Sequence, residues 1–211
     1  IIIFIATTLS IASSNNKDAN NSELKVNTNL EKEEYPYYYG GWPFNPNKDK
    51  IKGANIPIEC PFNISCECQT SKDCINSNCK PTVRGEYFCY PKIGDTFPHF
   101  IAVDQYGESV DIYDFAMQGK IIAIEFGTAW CNPCRELSSW LSTGNEAIKS
   151  LPMWKKEYDI IREKVNKGEI IFITILYQGK LKYEAASYET VSQWHNQFPH
   201  DKMPIIADEY A

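Results

Sequence analysis

Two cysteines three positions apart, Cys131 and Cys134, have the spacing in this 211-residue chain that most directly indicates chemistry. They follow an apolar run and open a helical pattern, so Cys131 is expected at a helix N-terminus, where free N–H groups and the helix dipole stabilise a thiolate. Because the thiolate is the form that attacks a disulfide, this position favours thiol–disulfide exchange. Cys134, one turn later, is expected to lie deeper and to attack the resulting mixed disulfide. A disulfide between consecutive helical turns constrains little chain, which argues against a purely structural bond.

Four neighbouring residues complete the predicted site. Pro133 suits the first turn of a helix, where its missing N–H costs nothing. Asn132 precedes it, and Trp130 is expected to shelter one side of the exposed sulfur. Glu125 lies on the preceding strand, where burial would raise the pKa of its carboxyl and let it exchange a proton with Cys134. Side chains alternate along a strand, so a solvent-facing Glu125 remains an alternative.

Strand and helix patterns alternate around this pair, from residue 94 onward. Apolar runs predict strands at 100–103, 120–126, 170–176 and 205–207, and helical patterns cover 111–115, the stretch after the cysteine pair, 153–166 and 188–198. Such alternation implies right-handed crossovers and a parallel sheet core. The expected fold class is therefore α/β, with a parallel or mixed sheet flanked by helices.

The sequence WCxxC after an apolar strand resembles thioredoxin. The segment IGDTFPHF at 93–100 and the turn DQYG at 104–107 make residues 93–211 similar to the TlpA/ResA-like branch of that family. The resemblance implies a thioredoxin-like fold, with Cys131 as nucleophile, Cys134 as resolving thiol and Glu125 as buried acid. It also implies protein thiols or disulfides as substrates, an upstream electron donor or acceptor, and an extracytoplasmic location. No cofactor is predicted.

The family's cis-proline, which faces the active cysteines and helps to bind the substrate chain, has no good counterpart here. Pro204 is the late candidate, but residues 198–208 look like the segment that comes before that proline. The chain is therefore expected to stop about 40 residues short of a complete domain. Pro204 is assigned no binding role.

Six further cysteines form a separate group with the intervals C-x5-C-x-C-x5-C-x4-C-x9-C. About thirty residues cannot build a self-sufficient core, so a disulfide framework is expected. Six cysteines allow 15 pairings, which the sequence leaves open. Zinc is the alternative, but the window has no His and no C-x2-C pair, so no metal is predicted. The structural cysteines are Cys60, Cys66, Cys68, Cys74, Cys79 and Cys89.

The N-terminal third has three compositions. The apolar residues 1–12 are too short to span a bilayer, and they are interpreted as the end of a secretory signal; an uncleaved anchor and a buried first strand are the alternatives. Residues 13–34 are predicted to be a disordered tether. Residues 35–59 form an aromatic, Pro- and Gly-rich linker, for which packing within the chain is favoured over partner binding.

The remaining chain is divided into two parts: the Cys-rich module is placed at 60–92 and the thioredoxin-like domain at 93–211.

Composition and motifs together limit the classes of function that the sequence supports. A net charge of −6 without a basic stripe argues against nucleic acid. The predicted function is an extracytoplasmic, periplasmic or secreted thiol–disulfide oxidoreductase that reduces or isomerises protein disulfides. Two alternatives remain: a peroxiredoxin-like peroxide reductase, because residues 128–131 fit T-x-x-C, and a non-enzymatic secreted protein that binds through the Cys-rich module.

Overall fold

The computed structural model describes residues 2–6, 38–51, 66–82 and 85–209. The strands are β1 (Ile2–Ala6), β2 (Cys79–Pro81), β3 (Tyr87–Cys89), β4 (Ile101–Asp104), β5 (Ser109–Asp111), β6 (Ile121–Thr128), β7 (Ile170–Gln178) and β8 (Ile205–Ala207). The α-helices are α1 (Asn132–Thr143), α2 (Asp159–Lys167) and α3 (Tyr188–Gln197). Short 3-10 helices cover Lys48–Lys50, Ser71–Asp73, Ile112–Phe115, Glu146–Ser150 and Lys156–Tyr158.

Within the described residues, six strands form one mixed sheet in the order β1-β6-β7-β8-β4-β5. Strands β6, β7 and β8 are parallel, whereas β1 runs antiparallel to β6 and β4 antiparallel to β8. The crossovers between the parallel strands contain the helices, as the alternating pattern requires. The predicted fold class is confirmed in its architecture: an α/β fold with a mixed sheet flanked by helices and a disulfide-rich region earlier in the chain.

The core beneath α1 is built from one face of the sheet. Ala123 on β6 and Phe172 on β7 pack in one apolar cluster with Leu137, Trp140 and Leu141 of α1. A second cluster joins Cys134 to the end of β7 and to α3, with members Leu176, Ala186, Val191, Trp194, Ile205 and Ala207. Both strands are buried on both faces over most of their length. This explains why they read as apolar runs in the sequence.

The bounds of the predicted elements agree with the structure to within about two residues except before α2, while β2, β3 and β5 were not predicted. The pattern predicted a helix over 153–166, but α2 begins at Asp159 after a 3-10 turn. Trp154 packs edge-on against Trp140, with 4.8 Å between ring centroids, and joins the α1 core cluster. The partly buried indole keeps residue 154 out of the helix, where its backbone N–H donates to the Leu151 carbonyl, so tertiary packing overrides the helical propensity there. At the other end, Gly168 ends α2 in the left-handed conformation, with φ of 72°.

The described residues divide into two compact units. The first comprises residues 38–44, 102–110 and 114–209 together with β1, and the second comprises 45–51, 66–82, 85–101 and 111–113. The predicted domain boundary at residue 93 stays a prediction.

Residues 38–44 of the aromatic segment belong to the first unit and make contacts within it. The Trp42 ring is buried, and its Nε1 donates to Asp104 Oδ2 at 2.7 Å. The Tyr38 hydroxyl donates to Asp114 at 2.6 Å, and Tyr39 stacks edge-on against Tyr106. The contacts of Trp42 and Tyr38 agree with the interpretation that this segment packs within the chain, whereas Tyr39 remains 81% exposed.

Two disulfides organise the second unit. Cys68 bonds to Cys79 and Cys74 to Cys89, around the two-stranded β2–β3 hairpin. Cys66 is also disulfide-bonded, while Cys60 lies outside the described residues. A disulfide framework is therefore present, and the structure selects two pairings that the spacing left open.

The N-terminal residues bear on two predictions. Ile2–Ala6 form β1, which pairs with β6, as in the alternative that they form a first strand. The prediction that residues 1–12 end a secretory signal concerns processing and stays a prediction. The tether predicted at 13–34 lies outside the described residues. In the described part of the chain, no helix is both long and apolar enough to cross a membrane.

Candidate functional site

The cysteine pair lies where β6 passes into α1. Cys131 is the N-cap residue of α1, and its backbone is extended, with φ of −74° and ψ of 108°. Cys131 and Cys134 are joined by a disulfide, with 5.3 Å between their Cα atoms. The backbone N–H of Cys134 donates to Cys131 Sγ at 3.3 Å. This N–H belongs to the first helical turn and has no carbonyl partner within the helix. It points at Cys131 Sγ, where it can stabilise negative charge once the disulfide opens.

The two sulfurs differ in accessibility. Cys134 is 1% exposed, whereas Cys131 is partly exposed. A substrate sulfur can therefore approach Cys131 but not Cys134. The burial of Cys134 depends on Gly127: a Cβ placed on Gly127 would stand 3.3 Å from Cys134 Sγ and 3.4 Å from its Cβ.

Glu125 points inward, under α1. Along β6 it lies between Ala123, which packs against α1, and Gly127, which faces Cys134. Successive side chains alternate between faces, so these three residues share one face of the sheet. Glu125 and Gly127 are about 7 Å apart along the strand. The alternative of a solvent-facing Glu125 is wrong, because its side chain is 0% exposed.

The Glu125 carboxyl is poorly solvated by its surroundings. Thr174, its register partner on β7, donates from Oγ1 to Oε2 at 3.3 Å. Within the described residues, the other oxygen, Oε1, has no hydrogen-bond partner. Burial raises the pKa of Glu125 to about 8, and the Thr174 hydroxyl offsets only part of this rise. The group can therefore hold or release a proton near neutral pH.

The three remaining predicted residues surround the exposed sulfur. Trp130 is 44% exposed; its Nε1 donates to Gln178 Oε1 at 3.3 Å, and Lys182 Nζ lies 5.2 Å from its ring centroid. Asn132 is exposed and donates to Glu136 at 2.9 Å. Pro133 lies within the first turn of α1. Their placement beside the disulfide agrees with the sequence, while their roles in the reaction stay predictions.

Several site residues were not singled out from the sequence. Gly127 could have been found, because a glycine inside an apolar strand often marks a close approach of another element. Thr174 could not, because its pairing with Glu125 depends on the register between β6 and β7. Gln178 and Lys182 lie at and after the end of β7, far from the cysteines in sequence, and only the fold brings them to Trp130.

The T-x-x-C pattern at residues 128–131 would serve a peroxide-reducing site if the Thr128 hydroxyl contacted the Cys131 sulfur. Thr128 is 2% exposed, and its Oγ1 has no hydrogen-bond partner among the described residues. Its carbonyl, not its hydroxyl, contacts the pair, by accepting from the Cys131 N–H at 3.0 Å. The hydroxyl is therefore not engaged with the Cys131 sulfur in the disulfide form.

The comparisons with known proteins give matches among solved structures alone. A scan against models of protein families found no match, and a search of curated proteins also found none. Among solved structures, the chain is similar to the solution structure of a "putative protein disulfide isomerase" from Bacteroides thetaiotaomicron, with 18% identity and a TM-score of 0.37. The match covers 56% of this chain and 62% of that one, so the chain spans less than two thirds of its length.

Proposed function

We propose that this protein is a thiol–disulfide oxidoreductase of the TlpA/ResA-like type that reduces or isomerises protein disulfides outside the cytoplasm. One observation carries the proposal: a disulfide at the N-terminus of α1 joins an accessible Cys131 to a buried Cys134, on the sheet face that holds the buried Glu125. A purely structural bond would need none of this asymmetry. The second disulfide group supports an oxidising compartment, because such bonds persist there.

In the reducing direction, the reaction has two exchange steps. The Cys131 thiolate attacks one sulfur of the substrate disulfide, and the other sulfur leaves as a thiolate with the electron pair of the broken bond. Cys134 then loses its proton and attacks Cys131 Sγ, which forms the Cys131–Cys134 disulfide and releases the second substrate thiolate. The substrate gains two electrons and the protein loses two. An upstream dithiol must then return the pair to the reduced form.

Glu125 would act on the second step. Cys134 is buried, so solvent cannot readily take its proton. The ionised carboxylate of Glu125, on the same sheet face, would accept that proton, directly or through a water molecule. In the reverse direction, the protonated acid would return it. A pKa of about 8 leaves both forms populated near neutral pH, which suits a proton carrier.

No comparable observation supports the alternative that the protein is a peroxiredoxin-like peroxide reductase. Cys134, three residues from Cys131, already forms the product of an exchange reaction, and the Thr128 hydroxyl is not engaged with the reactive sulfur. The reductase or isomerase direction is preferred because the Asn132-Pro133 dipeptide keeps the proline found in reducing members of the resembled family.

The test is the reduction potential of the pair together with trapping of an intermediate. The whole chain is equilibrated in glutathione and dithiothreitol buffers. A Cys134→Ser variant, which cannot resolve a mixed disulfide, is incubated with a disulfide-bonded protein, and Cys131→Ser is the matched control. We expect a potential near about −270 mV and a trapped adduct on Cys134→Ser alone. A potential near about −120 mV would reverse the direction, and failure of the folded protein to exchange at all would refute the proposed function.

A further inference from the structure

A small cleft opens beside the cysteine pair, between the start of α1 and α3. Its lining includes Ala129, Arg135 and Lys180, with Trp194 and Gln197 on the α3 side. Its volume of about 40 Å³ gives room for roughly three water molecules. The cleft therefore fits one small polar group and is far too small for a cofactor, which needs several hundred Å³.

The charged side chains that line this cleft are both cations, although the chain as a whole carries a net charge of −6. Lys182, whose Nζ lies 5.2 Å from the ring centroid of Trp130, adds a third positive charge beside the residue that precedes Cys131. Within the described residues, none of Arg135, Lys180 and Lys182 is within 4.0 Å of a carboxylate oxygen. None of the acids in the described part of the chain therefore forms an ion pair with these three cations.

The two acids nearest in sequence have other partners. Glu136 accepts a hydrogen bond from Asn132 Nδ2, and Glu184 accepts one from the Leu181 backbone N–H. Each interaction lies within its own local turn, which leaves the cleft cations available to a ligand.

Arg135 is held in place in a way that leaves most of its donors available. Its guanidinium lies 5.8 Å from the Trp194 ring centroid and 5.4 Å from that of Phe198. One Nη2–H group donates to Gln197 Oε1 at 2.8 Å. Arginine has five N–H donors in a planar fork that matches a carboxylate. Because ring contacts and Gln197 already order the side chain, less conformational entropy is lost when a carboxylate binds.

We propose that this cleft binds a carboxylate next to the reacting sulfur, so that the protein prefers disulfides flanked by an acidic group. The inference rests on the proposed exchange function and adds the substrate class. Arg135 is adjacent to Cys134 in sequence, and Ala129 is two residues before Cys131, so a substrate sulfur at Cys131 places its neighbouring side chains at the cleft. Arg135 and Lys180 determine specificity and take no part in bond exchange.

The test compares matched peptides. Disulfide-linked peptides carry Glu, Gln or Lys beside the cysteine, and the pre-reduced full chain reacts with each in a single turnover. Every rate is divided by that of dithiothreitol with the same peptide, which removes the effect of the neighbour on the sulfur itself. An arm with oxidised glutathione shows whether small anionic disulfides share the preference of acidic polypeptides.

We expect the Glu peptide to react roughly tenfold faster than the Gln peptide, as a charge-assisted hydrogen bond would give. In Arg135→Gln and Lys180→Gln, this ratio should fall to about two or three, as should the wild-type ratio in high salt. Lys120→Gln is the matched control, because it removes the same charge just before β6, at the opposite end of that strand from Cys131.

The outcomes separate the two proposals. Equal normalised rates for the Glu and Gln peptides, or a ratio that Arg135→Gln and Lys180→Gln leave unchanged, would overturn the acidic preference and leave the exchange function standing. A folded protein that reacts with no peptide would overturn the exchange function, and the acidic preference with it.

Discussion

Gly127 lies directly against Cys134, and the space above its Cα is occupied by the cysteine side chain: a Cβ there would stand 3.3 Å from Cys134 Sγ. This distance is closer than side-chain carbons normally approach a neighbour. The contact lets the first turn of α1 sit on the end of β6, and it buries the resolving sulfur. It also leaves Cys131, at the N-cap, accessible to a substrate.

The substitution Gly127→Ala should therefore disturb the pair. The added methyl group forces either β6 or the first turn of α1 to move, and overpacking of this kind costs about 1–3 kcal/mol, against a gain of about 0.5–1 kcal/mol from a stiffer unfolded chain. We expect a net loss of unfolding free energy in denaturant titrations and slower exchange with dithiothreitol. Gly119→Ala is the control, because its Cβ would meet no atom within 4 Å, although its φ of 66° strains the backbone. It should lower stability without slowing exchange, and equal exchange rates for the two variants would contradict the packing argument.

Glu125→Gln should slow the second exchange step. The amide keeps the size of the side chain but cannot accept the Cys134 proton. We expect the rate of resolving a mixed disulfide to fall by about tenfold or more, since proton transfer by a positioned group contributes 10²–10⁴-fold. Stopped-flow tryptophan fluorescence from pH 5 to 10 measures this rate. In the wild type it should rise through an inflection near pH 8, where Glu125 ionises, and the variant should lack that inflection. The first step, attack by Cys131, serves as the internal control and should change little.

Glu125 should also make stability depend on pH. Its pKa is raised from an ordinary value of 4.5 to about 8 in the folded protein by burial. Between these values the folded state binds a proton that the unfolded state has released, so this group's contribution to stability is complete below pH 4.5 and is lost as pH rises through 8. The slope is at most about 1.4 kcal/mol per pH unit.

Guanidinium unfolding of wild type and Glu125→Gln at pH 5 and pH 8 tests this sign. The variant should lose less stability than the wild type between the two pH values. The exposed Glu157 provides the control, since Glu157→Gln should follow the wild-type curve. A wild type that gains stability over this interval relative to Glu125→Gln would show that Glu125 is ionised when folded.

The disulfides of the second unit should exchange if one partner is removed. The sulfurs of Cys68, Cys74 and Cys89 all lie within 4.8 Å of one another. In Cys79→Ser, the freed Cys68 thiol therefore stands beside the Cys74–Cys89 bond and can attack it as a thiolate. We expect peptide mapping at pH 8 to find a mixture of bonds among these three cysteines.

In the double variant Cys68→Ser with Cys79→Ser, the Cys74–Cys89 bond should stay intact without exchange, because neither freed thiol remains beside it. Its cost should be about 2–3 kcal/mol, the value for a short closed loop. A single variant that retains only the native Cys74–Cys89 bond would contradict the predicted exchange.

The sequence alone determined the parts that depend on local pattern. The apolar runs at 120–126 and 170–176 identify β6 and β7, because strands covered on both faces have no polar alternation. The C-x-x-C spacing and Pro133 place the cysteines in the first turn of a helix, since that position has local requirements on residue type. The C-terminal end of α2, at Gly168, and the bounds of β8 are readable for the same reason.

Only the tertiary structure decided the parts that depend on long-range contacts. The direction of Glu125 follows from the packing of α1 against one face of β6, because alternation along a strand defines two faces but does not say which is covered. Its contact with Thr174 depends on strand register, and the pairing of Cys68 with Cys79 on how the loops fold back. The cations Arg135 and Lys180 line the same cleft because β7 pairs with β6, and the ends of these two strands lead to Lys180 and to α1. Their separation in the sequence does not reveal this arrangement.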